Sequence, residues 1–147
     1  MQEVLADRWA AFAYGSEAFA RGLRHVVERS IRFDAHLSAT LGEVVPTKVA
    51  IANMYAFVPK EPVAAEKIDE AVTQAMNRPA GPSDSHPRPV DRIAWVMKIA
   101  APAPRDAEGD SDEAWSLLST REAIETRMTE TVRARLARRG IRVEAPA

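Results

Sequence analysis

The sequence predicts an α+β fold, with an all-α fold as the alternative. Nine of the ten prolines lie between residues 46 and 104, and none lies in residues 1–45 or 105–145. Because proline breaks helix interiors, the two proline-free flanks are predicted to form long helices. The proline-rich middle contains apolar alternation of the kind found in strands. The expected fold is a long N-terminal helix, a small sheet from the middle, and a C-terminal helix followed by a short strand.

The N-terminal flank carries a helical seam in alternating steps of four and three residues. Its members are Leu5, Trp9, Phe12, Ser16, Phe19, Leu23, Val26, Ser30, Phe33 and Leu37. Gly42 is the expected helix stop. A continuous helix over 3–41 would be roughly 58 Å long, whereas a compact domain of this length is roughly 40 Å across. The helix is therefore expected either to break near residues 30–34, with Asp34 as a cap, or to project toward a partner.

The middle of the chain contains one helix pattern and two segments that resemble strands. Residues 47–58 are apolar at both odd and even positions, so they suit either a buried strand or a buried helix. Their β-branched and aromatic residues favour a strand. Pro62 opens an amphipathic segment that predicts a short helix. Residues 77–89 have the composition of a surface loop. Residues 90–100 place apolar side chains at alternate positions, which favours a second strand.

The C-terminal flank predicts a helix that begins near Thr120. Ser119 and Glu122 have the spacing of a capping box. Gly140 is placed to end the helix, and residues 141–143 alternate as a short strand does. The apolar stripe of this helix consists of Ile124, Met128, Val132 and Leu136.

The length predicts a single domain over residues 1–147. Its parts are a helical arm (1–42), a proline-punctuated middle (43–105), and an acidic linker with the C-terminal helix and strand (106–147). No apolar run is long enough to span a membrane, and the first residues lack the pattern of a secretory signal. We therefore expect a cytoplasmic location or one within an assembled particle, without membrane contact.

Motifs for catalysis, metal binding or nucleotide binding are not found, and no catalytic, cofactor-binding or metal-binding residue is predicted. The absence of cysteine excludes disulfides, thiolate zinc sites and cysteine nucleophiles. His25 precedes Glu28, the reverse of the order that a di-iron helix bundle requires. The acidic run 106–113 lacks the glycine and glutamate spacing of a calcium-binding loop. Residues 83–86 combine serine, aspartate and histidine but lack a nucleophile elbow.

The C-terminal helix carries a dense basic cluster although the net charge of the whole chain is −1. Arginines at this spacing could meet phosphates or an acidic protein surface. The acidic run 106–113 offers an internal or intersubunit counterpart of opposite charge. The candidate residues for an anionic partner are Arg133, Arg135, Arg138, Arg139 and Arg142.

The first half of the N-terminal helix suggests an interface because small residues line both sides of the bulky seam. Asp7, Tyr14 and their neighbours leave only a narrow polar strip. We expect the seam to pack inside its own domain and the alanine–glycine flank to pack against another chain. The interface candidates are Trp9, Phe12, Gly15, Ala18, Phe19 and Gly22.

These features predict a non-catalytic structural or adaptor subunit. It is expected to oligomerise or dock into a larger assembly, such as a bacterial complex or a phage particle, through its N-terminal helix. Its partners would be further copies of itself or other protein subunits, with no cofactor. One alternative is a nucleic-acid-associated protein that uses the arginine-rich helix. Another is a small enzyme without a recognisable motif, with a site around Tyr55, Trp95 and His86.

Overall fold

The computed structural model describes residues 2–79, 81, 87–102, 118 and 120–146. These residues form five helices and no strand. The predicted α+β fold is therefore wrong, the all-α alternative fits, and the prediction of a helical chain is confirmed. The helices are α1 (Gln2–Tyr14), α2 (Ser16–Thr47), α3 (Ala65–Asn77), α4 (Pro89–Met97) and α5 (Arg121–Ala137).

The segment 90–100, predicted to be a strand, lies mainly in α4. Pro89 occupies the first turn, where its fixed φ suits a helix and its missing N–H is not needed. Asp91 adds a negative charge at the same end, which the helix dipole favours. Ile93 and Val96 are the buried residues of α4. Residues three apart share one face of a helix, whereas in a strand they would point to opposite faces. These signals at the start of the helix outweigh the alternation.

The other two predicted strands, in residues 47–58 and 141–143, are also wrong. The backbone N–H of Ile51 donates to the carbonyl of Glu144 over 3.1 Å, but no ladder extends from this bond among the described residues. Ile51 and Met54 are both buried, and an extended chain would point residues three apart to opposite sides. A turn at 54–56 separates the two halves of this loop.

The N-terminal helix breaks at Gly15 and not near residues 30–34. Gly15 has a φ of 91°, in the left-handed region that glycine adopts readily. Its N–H donates to the Ala11 carbonyl at the end of α1, and its carbonyl accepts from Phe19 in the first turn of α2. From Ser16, α2 continues through Asp34 and past Gly42 to Thr47, so both the predicted cap and the predicted stop are wrong.

The helices expected after Pro62 and after Thr120 are confirmed. The first begins at Ala65, three residues later than its proline. The second begins at Arg121 with Thr120 as its N-cap residue, while Ser119 of the expected capping box lies outside the described residues. Gly140 follows this helix with a φ of 79°, as expected for a glycine that ends a helix.

The chain divides into two compact units. The first unit comprises Met1–Arg32 and Ala65–Ser111, and the second comprises Phe33–Ala64 and Asp112–Ala147. The long helix α2 contributes its first half to the first unit and its second half to the second. The prediction of a single domain stays a prediction.

In the first unit, α1 and α3 both pack on α4. The buried residues include Ala11, Ala20, Ile93 and Val96. Ser16, a polar member of the predicted seam, is also buried: its hydroxyl donates to the Val96 carbonyl and accepts from the Ala101 N–H, both over 3.0 Å. This pairing satisfies the backbone where α4 ends and fixes the start of α2 beside it.

In the second unit, the C-terminal half of α2, the loop 51–57, α5 and the segment that follows α5 share one core. Val44, Ile51, Met54 and Val143 form its buried centre. Partly buried side chains surround this centre: Leu37, Leu41, Phe57, Val132 and Leu136. The core therefore uses the C-terminal half of the predicted apolar stripe of α5.

Candidate interaction surface

Helix α1 exposes three large apolar side chains on one face. Leu5 is 58% exposed, Trp9 68% and Phe12 58%. Their steps of four and three place them in a row of roughly 10 Å along the helix. We call these three residues the aromatic stripe. Scattered apolar residues are normal on a surface, but a contiguous row with two large aromatic rings is typical of a surface that contacts another molecule.

The opposite face of α1 packs into the first unit. Ala11 is fully buried and Gly15 is buried, so this part of the alanine–glycine flank faces the interior rather than another chain. This arrangement corrects one expectation, because the seam residues of α1 do not pack inside their own unit. Gly15 is buried within its unit, and its interface role stays a prediction. Small side chains allow the backbone of α1 to approach α4 closely. This is the physical reason why the small residues of α1, and not its bulky seam, face the interior.

Farther along α2 the predicted interface residues have mixed surroundings. Ala18 and Phe19 are half-buried, whereas Gly22 is exposed. A Cβ placed on Gly22 would meet nothing within 4 Å. The interface roles of Trp9, Phe12 and Gly22 stay predictions, and of these three the first two provide the exposed apolar area.

A buried ion pair fixes the orientation of α1. Asp7 is only 4% exposed, and both of its oxygens accept from Arg92 of α4, at 2.8 Å from Nε and 2.6 Å from Nη2. Glu3 lies one turn earlier, with 3.4 Å between its Oε2 and Nη1 of the same guanidinium. Hydrogen bonding to Asp7 raises the pKa of Arg92 above its usual value, against the opposing effect of burial. The pair turns Asp7 inward, so the aromatic stripe on the other side of the helix turns outward.

A small hollow adjoins the stripe. It has a volume of about 210 Å³, and its lining includes Val4 and Arg8 of α1 together with Trp95 and Ile99. Arg8 lies three residues after Leu5 and four before Phe12, so hollow and stripe meet along the surface of α1. The volume is below the range of roughly 300–1,000 Å³ typical of small-molecule sites. It suits a single side chain better than a metabolite.

The second unit has a larger and more polar groove of about 460 Å³, whose lining includes Glu43, Thr47, Lys60 and Glu61. Glu43 accepts from the backbone N–H of Lys60 over 2.8 Å, and 3.9 Å separates its carboxylate from the Lys60 Nζ. Glu43 therefore holds the chain after Pro59 against α2. The groove follows from this contact between helix and loop.

The arginine cluster separates into one structural residue and four exposed ones. Arg133 is half-buried and its Nη2 donates to the Ile51 carbonyl, so it serves the second unit's own fold. The other four side chains belong to exposed residues: Arg135, Arg138, Arg139 and Arg142. The acidic run 106–113 expected to face them lies outside the described residues. Binding of an anionic partner by the four exposed arginines stays a prediction.

Polar side chains of α5 hold the loop 51–57 in place. Glu125 accepts from Asn53 and from Arg121 Nε, both over 2.8 Å. The hydroxyl of Thr129, which is fully buried, accepts from the backbone N–H of Met54 over 3.0 Å. On the α2 side, His36 Nε2 lies 2.8 Å from the carbonyl of Met54. Each of these polar groups is paired within the unit, as expected for a structural network.

Two pKa values are shifted in this network. Hydrogen bonds from Arg121 and then Asn53 lower the pKa of Glu125, whereas burial and the charge of Glu125 raise the pKa of Tyr55. Tyr55 also stacks on Phe33 with 5.3 Å between the ring centroids. The sequence singled out Tyr55 for an enzyme site, but its environment is that of a packed tyrosine. His86, named for the same site, lies outside the described residues.

We expect the Glu125→Gln variant to lose stability in a pH-dependent way. The folded-state pKa of Glu125 lies below its ordinary value of 4.5, so its contribution is fully present above that value and is lost as pH falls through the folded pKa. The variant should be less stable than the wild type near neutral pH, and the difference should shrink below about pH 4.5. Urea unfolding at several pH values measures this difference in the free energy of unfolding. Glu130→Gln, an exposed substitution in the middle of the same helix, is the control and should leave the free energy of unfolding close to that of the wild type; equal losses from the two variants would contradict the prediction.

No three histidine, aspartate or glutamate side chains in the described part of the chain lie close enough together to hold a metal ion. Within that part, no helix combines the length and apolar content needed to cross a membrane. Comparisons with protein-family models, curated proteins and solved structures found no match to this chain.

Proposed function

We propose that this chain is a non-catalytic structural or adaptor subunit that docks into a larger protein assembly through the aromatic stripe of α1. The observation that carries the proposal is the outward position of the stripe, with Trp9 more than two-thirds exposed. Large aromatic residues are enriched at the energetic centres of protein interfaces. A bacterial complex or a phage particle is the kind of assembly that such a subunit fits.

The energetics of the stripe support docking. A buried aromatic side chain covers about 150–250 Å², so the exposed fractions of Trp9 and Phe12, with a similar share from Leu5, together represent roughly 350 Å² of mainly apolar surface. At about 25 cal/mol per Å², covering this area contributes roughly 9 kcal/mol before the costs of association are subtracted. The ion pair between Asp7 and Arg92 holds α1 in place before any partner arrives, which limits the entropy lost on docking.

Isolation of the tagged full chain from its native source tests the proposal. We expect discrete partner proteins in near-stoichiometric amounts with the wild type and their loss with Trp9→Lys. Tyr14→Lys is the matched control, because Tyr14 is 67% exposed on the same helix but points away from the stripe. Both are surface substitutions that should change folding stability by less than about 0.5 kcal/mol, which thermal unfolding verifies. The same partner set from both variants would refute docking through the stripe.

A further inference from the structure

We infer that the partner that covers the aromatic stripe is a second copy of this chain, so that α1 helices of two copies pack against each other around Trp9. This inference rests on the proposed function and specifies its partner. It follows from the charge, the size and the borders of the stripe.

The charge distribution of α1 permits self-association. Leu5, Trp9 and Phe12 carry no charge, so two stripes can meet without the repulsion that keeps like-charged surfaces apart. The carboxylates of α1 belong to Glu3 and Asp7, and both lie at Arg92 within the first unit. One cation, Arg8, remains exposed beside the stripe. A surface that is nearly neutral and apolar is complementary to itself, whereas a charged stripe would require a different partner of opposite sign.

One border of the stripe allows a close approach. Ala6 and Ala13 are exposed on one side of it, and their methyl groups do not keep a neighbouring helix at a distance. The larger aromatic side chains then lie at the centre of the contact with small residues at its edge. An isologous contact between two identical surfaces is the commonest way in which soluble proteins form dimers.

The area of the stripe predicts a weak dimer. Its roughly 350 Å², with the exposed surfaces of Ala6 and Ala13 and the stem of Arg8, whose charged end stays in water at the rim, gives roughly 500–600 Å² per copy, against about 800 Å² per partner in a standard stable interface. The total of roughly 1,100 Å² lies at the lower end of specific interfaces. We therefore expect a dissociation constant in the range of about 1–100 μM.

Sedimentation velocity of the purified full chain over this concentration range measures the association. We expect a concentration-dependent shift from monomer to dimer. Trp9→Lys should weaken the dimer at least about 30-fold, since central tryptophans dominate such contacts. Tyr14→Lys should leave the dimer unchanged. A wild-type chain that remains monomeric throughout, or a dimer insensitive to Trp9→Lys, would overturn the inference.

Cross-linking locates the contact, and the natural lack of cysteine makes it specific. A single Ala13→Cys substitution beside the stripe should give a covalent dimer with a short bismaleimide at concentrations where the dimer forms. Ala134→Cys, equally an exposed alanine but on α5, is the control and should give little product. A dimer that cross-links equally through both positions would show that the contact does not centre on α1 and would overturn the inference.

These experiments separate the two proposals. A monomeric wild type that still recovers partner proteins in a Trp9-dependent manner would overturn the second-copy inference and leave the proposed function standing. A Trp9-dependent dimer would support the second-copy inference. Recovery of no other protein from the native source would then remove the wider assembly while the self-association remained.

Discussion

Replacement of Asp7 by alanine is expected to lower the free energy of unfolding by about 3–5 kcal/mol, the typical cost of removing one member of a buried ion pair. The Asp7 carboxylate is almost completely enclosed, and the Arg92 side chain is only 21% exposed. Without Asp7, the guanidinium keeps its desolvation cost but loses two short charge-assisted hydrogen bonds. Urea unfolding followed by far-UV circular dichroism measures the change.

Arg88→Ala is the matched control for this prediction. Arg88 and Asp91 form a bidentate ion pair, in which Nε and Nη2 of Arg88 donate to the two carboxylate oxygens over 2.7 and 2.8 Å. These distances are close to those of the buried pair. Their side chains are 40% and 33% exposed, so water screens the interaction and its loss should cost much less than the loss of the buried pair. Equal losses from Asp7→Ala and Arg88→Ala would contradict the view that burial makes the first pair important.

The double variant Asp7→Ala/Arg92→Ala addresses the mechanism. If the cost of Asp7→Ala comes mainly from the Arg92 charge, which then keeps only the Glu3 carboxylate at 3.4 Å, removal of that charge should recover part of the loss. The double variant should then be less destabilised than the sum of the two single variants. Strict additivity would show that the two side chains act independently, and the ion pair could not then be the element that turns the aromatic stripe outward.

The sequence predicted the helical flanks because those signals are local. The absence of proline, the seam of the N-terminal flank and the glycine at position 140 each act within a few residues of the helix they describe. The middle of the chain was harder. In α4, the alternating apolar residues suggested a strand, whereas the helix-start signals of Pro89 and Asp91 together with the burial of Ile93 and Val96 decide for a helix. For short apolar segments, alternation alone is a weak guide, and signals at the ends of the segment and tertiary contacts must be added to it.

The candidate surface could be found from the sequence, but its orientation could not. Trp9 and Phe12 were named as interface candidates, yet the seam to which they belong was expected to pack inside its own domain, whereas both side chains are exposed. The decisive contact joins Asp7 to Arg92, 85 residues farther along the chain. No local pattern distinguishes an aspartate that will meet such a partner from one in a solvated strip. A single buried charge pair therefore determines which side of α1 is available to another molecule.

Gly15→Leu and Gly22→Leu apply the same change to two glycines of the N-terminal region, and we expect effects of opposite sign. At Gly15 the left-handed backbone costs a side-chain-bearing residue about 1–3 kcal/mol, and leucine in a buried position adds about 1–3 kcal/mol of overpacking. Because Gly15 also ends α1 and precedes α2, the Gly15→Leu substitution should separate the two helices and expose buried surface.

At Gly22 the added side chain meets open space inside α2. Leucine is a better helix former than glycine by roughly 0.5–1 kcal/mol, so Gly22→Leu should raise the free energy of unfolding slightly. Urea unfolding of both variants beside the wild type measures the two changes. A stable Gly15→Leu variant would show that α1 and α2 can join as one continuous helix. In that case the break at Gly15 would not be what allows α1 to lie on α4 with Asp7 facing inward and the aromatic stripe facing outward.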